Sequence, residues 1–173
     1  MSEIEPITYI GQNRYFDGDT FVSYESEKVI YDNYDIELMI KQNGDTLPKN
    51  SGNNSYPPMI GYIDKFGIYR IGQRKIRIYN SSKIEGVITL KDYGWFKIRI
   101  KATKEKNRTV IYLNDNLICA TNAYTNLSVN YQLGKGYFDR FWKGNISYLK
   151  ILRYNKNHQK ETIVNAEFTK FDL

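Results

Sequence analysis

Residues 134–154 read GKGYFDRFWKGNISYLKILRY, and this stretch decides the fold class. Two glycines and an aromatic cluster lead in, Gly144 breaks the run, and an apolar strand follows. The alternation along that strand contains a fault. Leu149 and Ile151 share one face by the two-residue period, whereas Ile146 has the opposite parity. Burial of all three requires one extra residue near Ser147–Tyr148, a β-bulge. A strand buried on both faces is the other reading. Either way the segment is a core strand of an all-β protein.

Composition agrees. The chain has 173 residues, with 16 Tyr, 8 Phe and 2 Trp against 3 Met. Aromatic and β-branched side chains suit a pleated, half-buried surface, and the length suits a single domain over residues 1–173. The formal charge is +6, but Lys and Arg are scattered rather than gathered in a tract, so nucleic acid is not the expected partner. Cys119 is the only cysteine; it reads as a small buried hydrophobe, and no intrachain disulfide is possible. The start, MSEIEPITYIG, lacks the pattern of a signal peptide, and no apolar run approaches bilayer length. The expectation is a soluble chain without membrane insertion. A virion or a longer precursor would be its route to the outside of a cell.

Further strands are expected at Ile7–Ile10, Thr20–Tyr24 and Tyr34–Lys41. In the last of these Ile36, Leu38 and Ile40 point inward, while Asp35, Glu37, Met39 and Lys41 mostly face water. Asp17-Gly18 has the residues of a tight hairpin turn. The Asp17/Asp19 pair offers too few oxygens for calcium, which takes six or more. Turn chemistry is therefore the preferred reading, no cofactor is expected, and calcium is the one ion left open. Met59–Ile63, Gly67–Ile71, Lys75–Tyr79 and Gly86–Leu90 are short strands at sandwich-like spacing. Trp95–Thr103 alternates plainly and pairs back through Thr109–Leu113 and Leu117–Ala120. Asn122–Gln132 is a polar connection, and Thr162–Phe168 returns to lie near the first strand. Between Gln42 and Pro58 runs the longest loop, with five Asn or Gln, two Gly and three Pro; it is either a functional loop or a mobile insertion.

Together these pieces resemble the laminin-G-like, concanavalin-A-like jelly-roll family. Tyr15-Phe16-Asp17-Gly18-Asp19-Thr20-Phe21-Val22 looks like its early strand pair, and Tyr34–Ile40 like the strand that follows. Trp95–Ile100 with Val110–Leu117 is similar to its central hairpin, and Phe141–Ile151 to its closing strand. Asn114-Asp115-Asn116 departs from the usual Asp-Gly turn, and Ser147 stands where Asp is common. The resemblance implies an antiparallel two-sheet β-sandwich, with ligands met on the concave sheet or at the loop edge and glycan binding as the commonest role.

Catalytic chemistry finds little support. Glycoside hydrolysis uses two carboxylates across the sugar, and the nearest pattern, Glu25-Ser26-Glu27, lacks the middle acid of this fold's hydrolases. His158 is the only histidine, which nearly excludes a triad or a His-based metal site. Gly134-x-Gly136 precedes a strand and opens no helix, so it is no dinucleotide motif. What remains is a binding surface, in which rings stack on sugar faces and amides read hydroxyls. Candidate ligand residues are Asn54 and Tyr56 in the long loop, and Tyr124, Asn126, Tyr137, Asp139 and Trp142 in and before the central stretch. For Trp142, plugging one end of the sandwich is an equal alternative, as it is the favoured one for Phe138 and Phe141. The expected activity is a non-catalytic, lectin-like module that binds a glycan or cell-wall polysaccharide, in a phage tail or bacterial surface assembly. A structural domain that docks a protein partner is the alternative. If the aromatic sites fail, the Lys97/Arg99/Lys101 face is the next candidate, for an anionic glycan.

Overall fold

The structure, a computed structural model, describes residues 3–44, 58–80, 84–136 and 140–168. Among them there are strands and no helix, hence no helix long and apolar enough to cross a membrane. One sheet is built from β1 (Arg14–Asp17), β4 (Asn33–Gln42), β9 (Gly94–Thr103), β10 (Arg108–Leu113), β11 (Asn116–Thr121), β14 (Lys143–Tyr154) and β15 (Lys160–Glu167). Its order is β1-β14-β4-β9-β10-β11, with β15 also on β14. The other sheet is built from β2 (Val22–Tyr24), β5 (Met59–Ile63), β6 (Phe66–Gly72), β7 (Lys75–Asn80), β8 (Ile84–Thr89) and β13 (Tyr131–Leu133). Its order is β2-β13-β5-β6-β7-β8. A short pair, β3 (Val29–Ile30) with β12 (Leu127–Ser128), lies outside both. The expected antiparallel sandwich is what forms, and one apolar cluster from both inner faces fills it.

Rows of side chains across the first sheet show how the core is registered. Ile151, Ile36, Ile100 and Ile111 stand opposite one another, as do Leu149, Leu38, Ile98 and Leu113, then Ile146, Ile40 and Phe96. From the second row to the third, β4 and β9 advance by two residues while β14 advances by three. The register shift lies between Ile146 and Tyr148, so Ser147 is the extra residue of a bulge. Ile146, Leu149 and Ile151 are all fully buried.

The bulge also marks a change of neighbour. On one side of it β14 pairs with β1 through Lys143–Ile146; on the other it pairs with β15 through Tyr148–Tyr154. Ser147 occupies the junction. Its hydroxyl donates to Gln12 O at 2.6 Å and lies 2.5 Å from the Tyr9 hydroxyl, while its carbonyl accepts the Phe168 N–H at 2.8 Å. Both ends of the chain are thus fastened to one residue. Phe168 also meets the Phe16 ring edge-on at 6.3 Å, which places the last strand beside the first.

Several local expectations differ from the structure: Asn122–Gln132 carries β12 and the start of β13, and Cys119 is only partly buried. Ile7–Ile10 is not a strand: the segment makes isolated bridges at Ile4 and Ile7, Pro6 interrupts it, and Ile10 is 97% exposed. Asp17-Gly18 is not a hairpin, because β1 and β2 belong to different sheets. The turn chemistry is nevertheless present. Gly18 has φ +89°, and Asp17 Oδ1 accepts the Asp19 N–H at 2.9 Å and the Thr20 hydroxyl at 3.1 Å. Asp35 and Met39 do not face water; both are buried on the outer side of β4. Asp35 can be so because Arg99 and the Tyr154 hydroxyl, at 3.1 and 2.8 Å, share its carboxylate.

Ser147→Ala is expected to cost roughly 1–3 kcal/mol in urea unfolding, the usual effect of stripping partners from buried polar groups. Deleting Ser147 should abolish folding, because one half of β14 would turn its apolar face outward. Cooperative unfolding of the deletion variant at near-parent stability would contradict the bulge's role.

Candidate functional site

Where β2, β13 and β5 end together, a cleft of about 610 Å³ opens, lined by residues 23–27, Tyr62, Asp64 and residues 130–132. Hydrogen bonds among backbone groups and the Asp64, Asn130 and Ser128 side chains hold its walls. The Asp64 N–H donates to Asn130 O at 2.6 Å, and the Asp64 carboxylate accepts the Ser128 N–H at 3.0 Å. The Asn130 side chain accepts the Ser26 N–H at 2.7 Å and donates to the Ser128 hydroxyl at 2.7 Å. Tyr24 and Tyr131 are directly opposite in register and their rings stack, with centroids 5.6 Å apart and planes 24° from parallel. Tyr24 is 47% exposed. Burial, and then the neighbouring Tyr24, raises the Tyr131 phenol above its ordinary range. The lining carries three acids, Glu25, Glu27 and Asp64, and no base.

From the cleft a shelf continues across the second sheet. Ser23, Gln132, Tyr62, Gly67 and Tyr79 stand opposite one another across β2, β13, β5, β6 and β7. Gly67 is the low point of that row, and the Tyr69 ring lies across it: a Cβ on Gly67 would sit 2.8 Å from that ring. Arg77 covers the Tyr79 ring, its guanidinium 5.0 Å from the centroid. Tyr62 and Tyr79 are two strand spacings apart, roughly 10 Å.

Of the candidates read from sequence, the three among the described residues, Tyr124, Asn126 and Trp142, do not converge. Asn54, Tyr56, Tyr137 and Asp139 lie outside the described residues. Tyr124 packs on Tyr34, at the start of β4, and donates its hydroxyl to Asp32 O at 2.8 Å. Asn126 is exposed nearby. Trp142 contacts Gln42, at the far end of the same strand, through an Nε1–H···Oε1 hydrogen bond of 3.4 Å. Eight residues of extended chain, roughly 26 Å, separate these two ends. Trp142 is moreover fully buried, its ring lying against Gly144 and tilted on Phe16 at 6.4 Å. Its ring is therefore core, and no face of it is open to a sugar. The Trp-x-Gly spacing is the signal for this, since only glycine leaves room for a ring folded back two residues along. The residues that do converge were mostly unmarked in the sequence. Tyr62, Tyr69 and Tyr79 were hidden in strands whose outward parity is their only sign.

Comparison with known proteins bears on the fold. No family model matches the sequence, and no curated protein is similar to it. Solved structures are similar. Domains LG4-5 of the mouse laminin alpha1 chain superpose with a TM-score of 0.59 at 12% identity, over 95% of this chain and 46% of that one. A Bacteroides ovatus protein provisionally described as carbohydrate-binding gives 0.62 at 10% identity, over 91% and 51%. The LG1-3 region of the laminin alpha2 chain gives 0.55 at 12% identity, over 91% and 30%. The fold is a laminin-G-like, concanavalin-A-like jelly roll. The chain spans about half, or less, of the length of these matches.

On the other outer face of the jelly roll, several cations are paired. Lys97 meets Asp115 at 3.2 Å, Arg99 meets Asp35 at 3.1 Å and Arg153 meets Asp32 at 2.6 Å. The Tyr148 hydroxyl donates to Glu37 at 2.7 Å. Two of the three cations expected to attract an anionic glycan there are thus already neutralised. Among the described residues no group of three His, Cys, Asp or Glu side chains is arranged to hold a metal ion.

Trp142→Ala should lower stability by roughly 3–5 kcal/mol, the range for emptying a large aromatic site, and Gly144→Ala should destabilise as well by displacing the ring. Melting temperatures near that of the parent for both would return the ring to the surface. A pH effect follows from the tyrosines. Burial raises Tyr34 and Tyr148 above the ordinary value of 10.0 and pushes Tyr124 up to about 12. Unfolded tyrosines ionise near 10, so the unfolded state releases protons first and stability falls as pH rises from about 10 towards 12. Thermal melts should be level below that window and drop through it, with a shallower drop in Tyr34→Phe.

Proposed function

We propose that this chain is a non-catalytic glycan-binding module whose ligand enters the Tyr24–Tyr131 cleft and extends over the Tyr62–Tyr69–Tyr79 shelf. The observation that carries this reading is the cleft itself: stacked, partly exposed tyrosines beside amides, hydroxyls and carboxylates, in a volume typical of ligand sites, roughly 300–1,000 Å³. Aromatic faces cover the apolar C–H side of a sugar ring, while Asn130, Gln132 and Ser23 offer groups that pair with hydroxyls. Three acids and no base disfavour an acidic polysaccharide and suit a neutral or amino-bearing one. The provisional description of the Bacteroides ovatus protein as carbohydrate-binding points the same way. Glu25 and Glu27 line the cleft as solvent-exposed side chains, whereas a catalytic pair works from an enclosed, water-poor site. Binding without hydrolysis is the better match.

Calorimetric titration with chitotetraose and with its deacetylated form tests the reading. Burying one ring against a sugar contributes about 1–3 kcal/mol. Tyr62→Ala and Tyr24→Ala should therefore each weaken binding about tenfold or more while the melting temperature stays within a few degrees. Folded protein that binds neither oligosaccharide at millimolar concentration, nor any neutral or amino-bearing glycan on an array, would sink the proposal.

A further inference from the structure

A second cleft, also of about 610 Å³, lies at the start of β4 and the ends of β9 and β14. Lys101, Lys106, Lys156 and His158 line it, with Glu105 as the single acid. Lys101 comes from β9, Lys106 from the turn after it, and Lys156 and His158 from the turn after β14. Several basic side chains elsewhere are matched: Lys28, Lys91, Lys97, Arg99 and Arg153 each have an acid within 4 Å. Among the described residues Lys101, Lys106 and Lys156 have none. Like charges brought together repel one another, and a bound anion relieves that repulsion. The back of the cleft is apolar. Ala102 and the Tyr34 ring are fully buried there, and the Tyr154 hydroxyl is engaged by Asp35, which leaves its ring.

We propose that this second cleft is an anion site that takes a carboxylated or phosphorylated saccharide unit, its charge among the lysines and its ring against Tyr154. The site is separate from the acidic cleft: the two clefts share no lining residue. A sugar-sized anion suits the site better than nucleic acid. The cations form one pocket rather than a stripe along which a backbone would track.

The test titrates the full chain with glucuronate, glucose 6-phosphate, inorganic phosphate and glucose, followed by amide NMR shifts. Both anionic sugars should bind and shift residues 101–106 and 154–158. Glucose should not bind, and inorganic phosphate should bind at least threefold more weakly than glucose 6-phosphate. Raising NaCl from about 50 to about 500 mM should weaken binding fivefold or more, because exposed charges are screened within a few ångströms at the higher salt. A Lys101→Gln/Lys106→Gln/Lys156→Gln variant should lose binding, whereas Lys28→Gln/Lys75→Gln should retain it. The preference between the two anionic sugars identifies the carboxylate or the phosphate as the natural charge. Equal binding of glucose, phosphate as good as the sugar phosphate, unchanged affinity in the triple variant, or stronger binding of an oligonucleotide at the same residues would each overturn the proposal. None of these outcomes depends on whether chitotetraose binds the first cleft.

Discussion

One inserted residue governs this fold. The strand Lys143–Tyr154 contributes to the core along its length, and its apolar side chains face inward on both sides of Ser147 only because that residue adds one step to the register. A bulge leaves polar groups unpaired by the ladder, and leaving them buried would cost on the order of 1–3 kcal/mol each. Here they are used. The hydroxyl and carbonyl of Ser147 bind segments from both ends of the chain. The irregularity thereby becomes the point where the first strand gives way to the last along one edge. The side-chain hydroxyl suits this role, because it can donate to Gln12 and still accept from Tyr9.

The consequences reach the second sheet. Pairing of Arg14–Asp17 with the early half of the long strand fixes where the Asp17–Thr20 turn leaves the first sheet. That turn delivers Val22–Tyr24 to the edge of the second sheet, where Tyr24 stacks on Tyr131 and residues 23–27 form one wall of the acidic cleft. At the opposite end of β4, Trp142 closes the core over Gly144. Charge is divided as well: acids line one cleft, unpaired lysines another, and the broad outer face of the first sheet is knitted by ion pairs. The net charge of +6 conceals this division.

Much of the fold was legible because its signals are local. Alternation at Ile36, Leu38 and Ile40, and at Phe96, Ile98 and Ile100, marks inner faces directly, and the parity fault at Ile146 marks the bulge. The Asp17-Gly18 turn misled because an arch between sheets and a hairpin within one use the same turn residues; only the long-range partners of β1 and β2 distinguish them. Trp142 drew notice as an aromatic among polar residues, yet its burial depends on where Gln42 and Phe16 arrive from elsewhere. The acidic cleft was out of reach for a related reason. Its lining comes from three separated segments, 23–27, 62–64 and 130–132, and nothing in any one of them announces the others. In sequence Glu25 and Glu27 resemble only an incomplete catalytic pair, whereas their neighbours in space are tyrosines and amides.

Mapping the bound glycan on the folded chain is the most direct test of the central claim, that ligand recognition lies at the edge where β2, β13 and β5 end. Amide NMR spectra recorded during titration with a neutral oligosaccharide should shift at Tyr24, Tyr62 and residues 130–132, and then along Gly67–Tyr69, with Tyr124 and Trp142 silent. Shifts confined to the Trp142 end, or to the face carrying Lys97 and Arg99, would contradict the account.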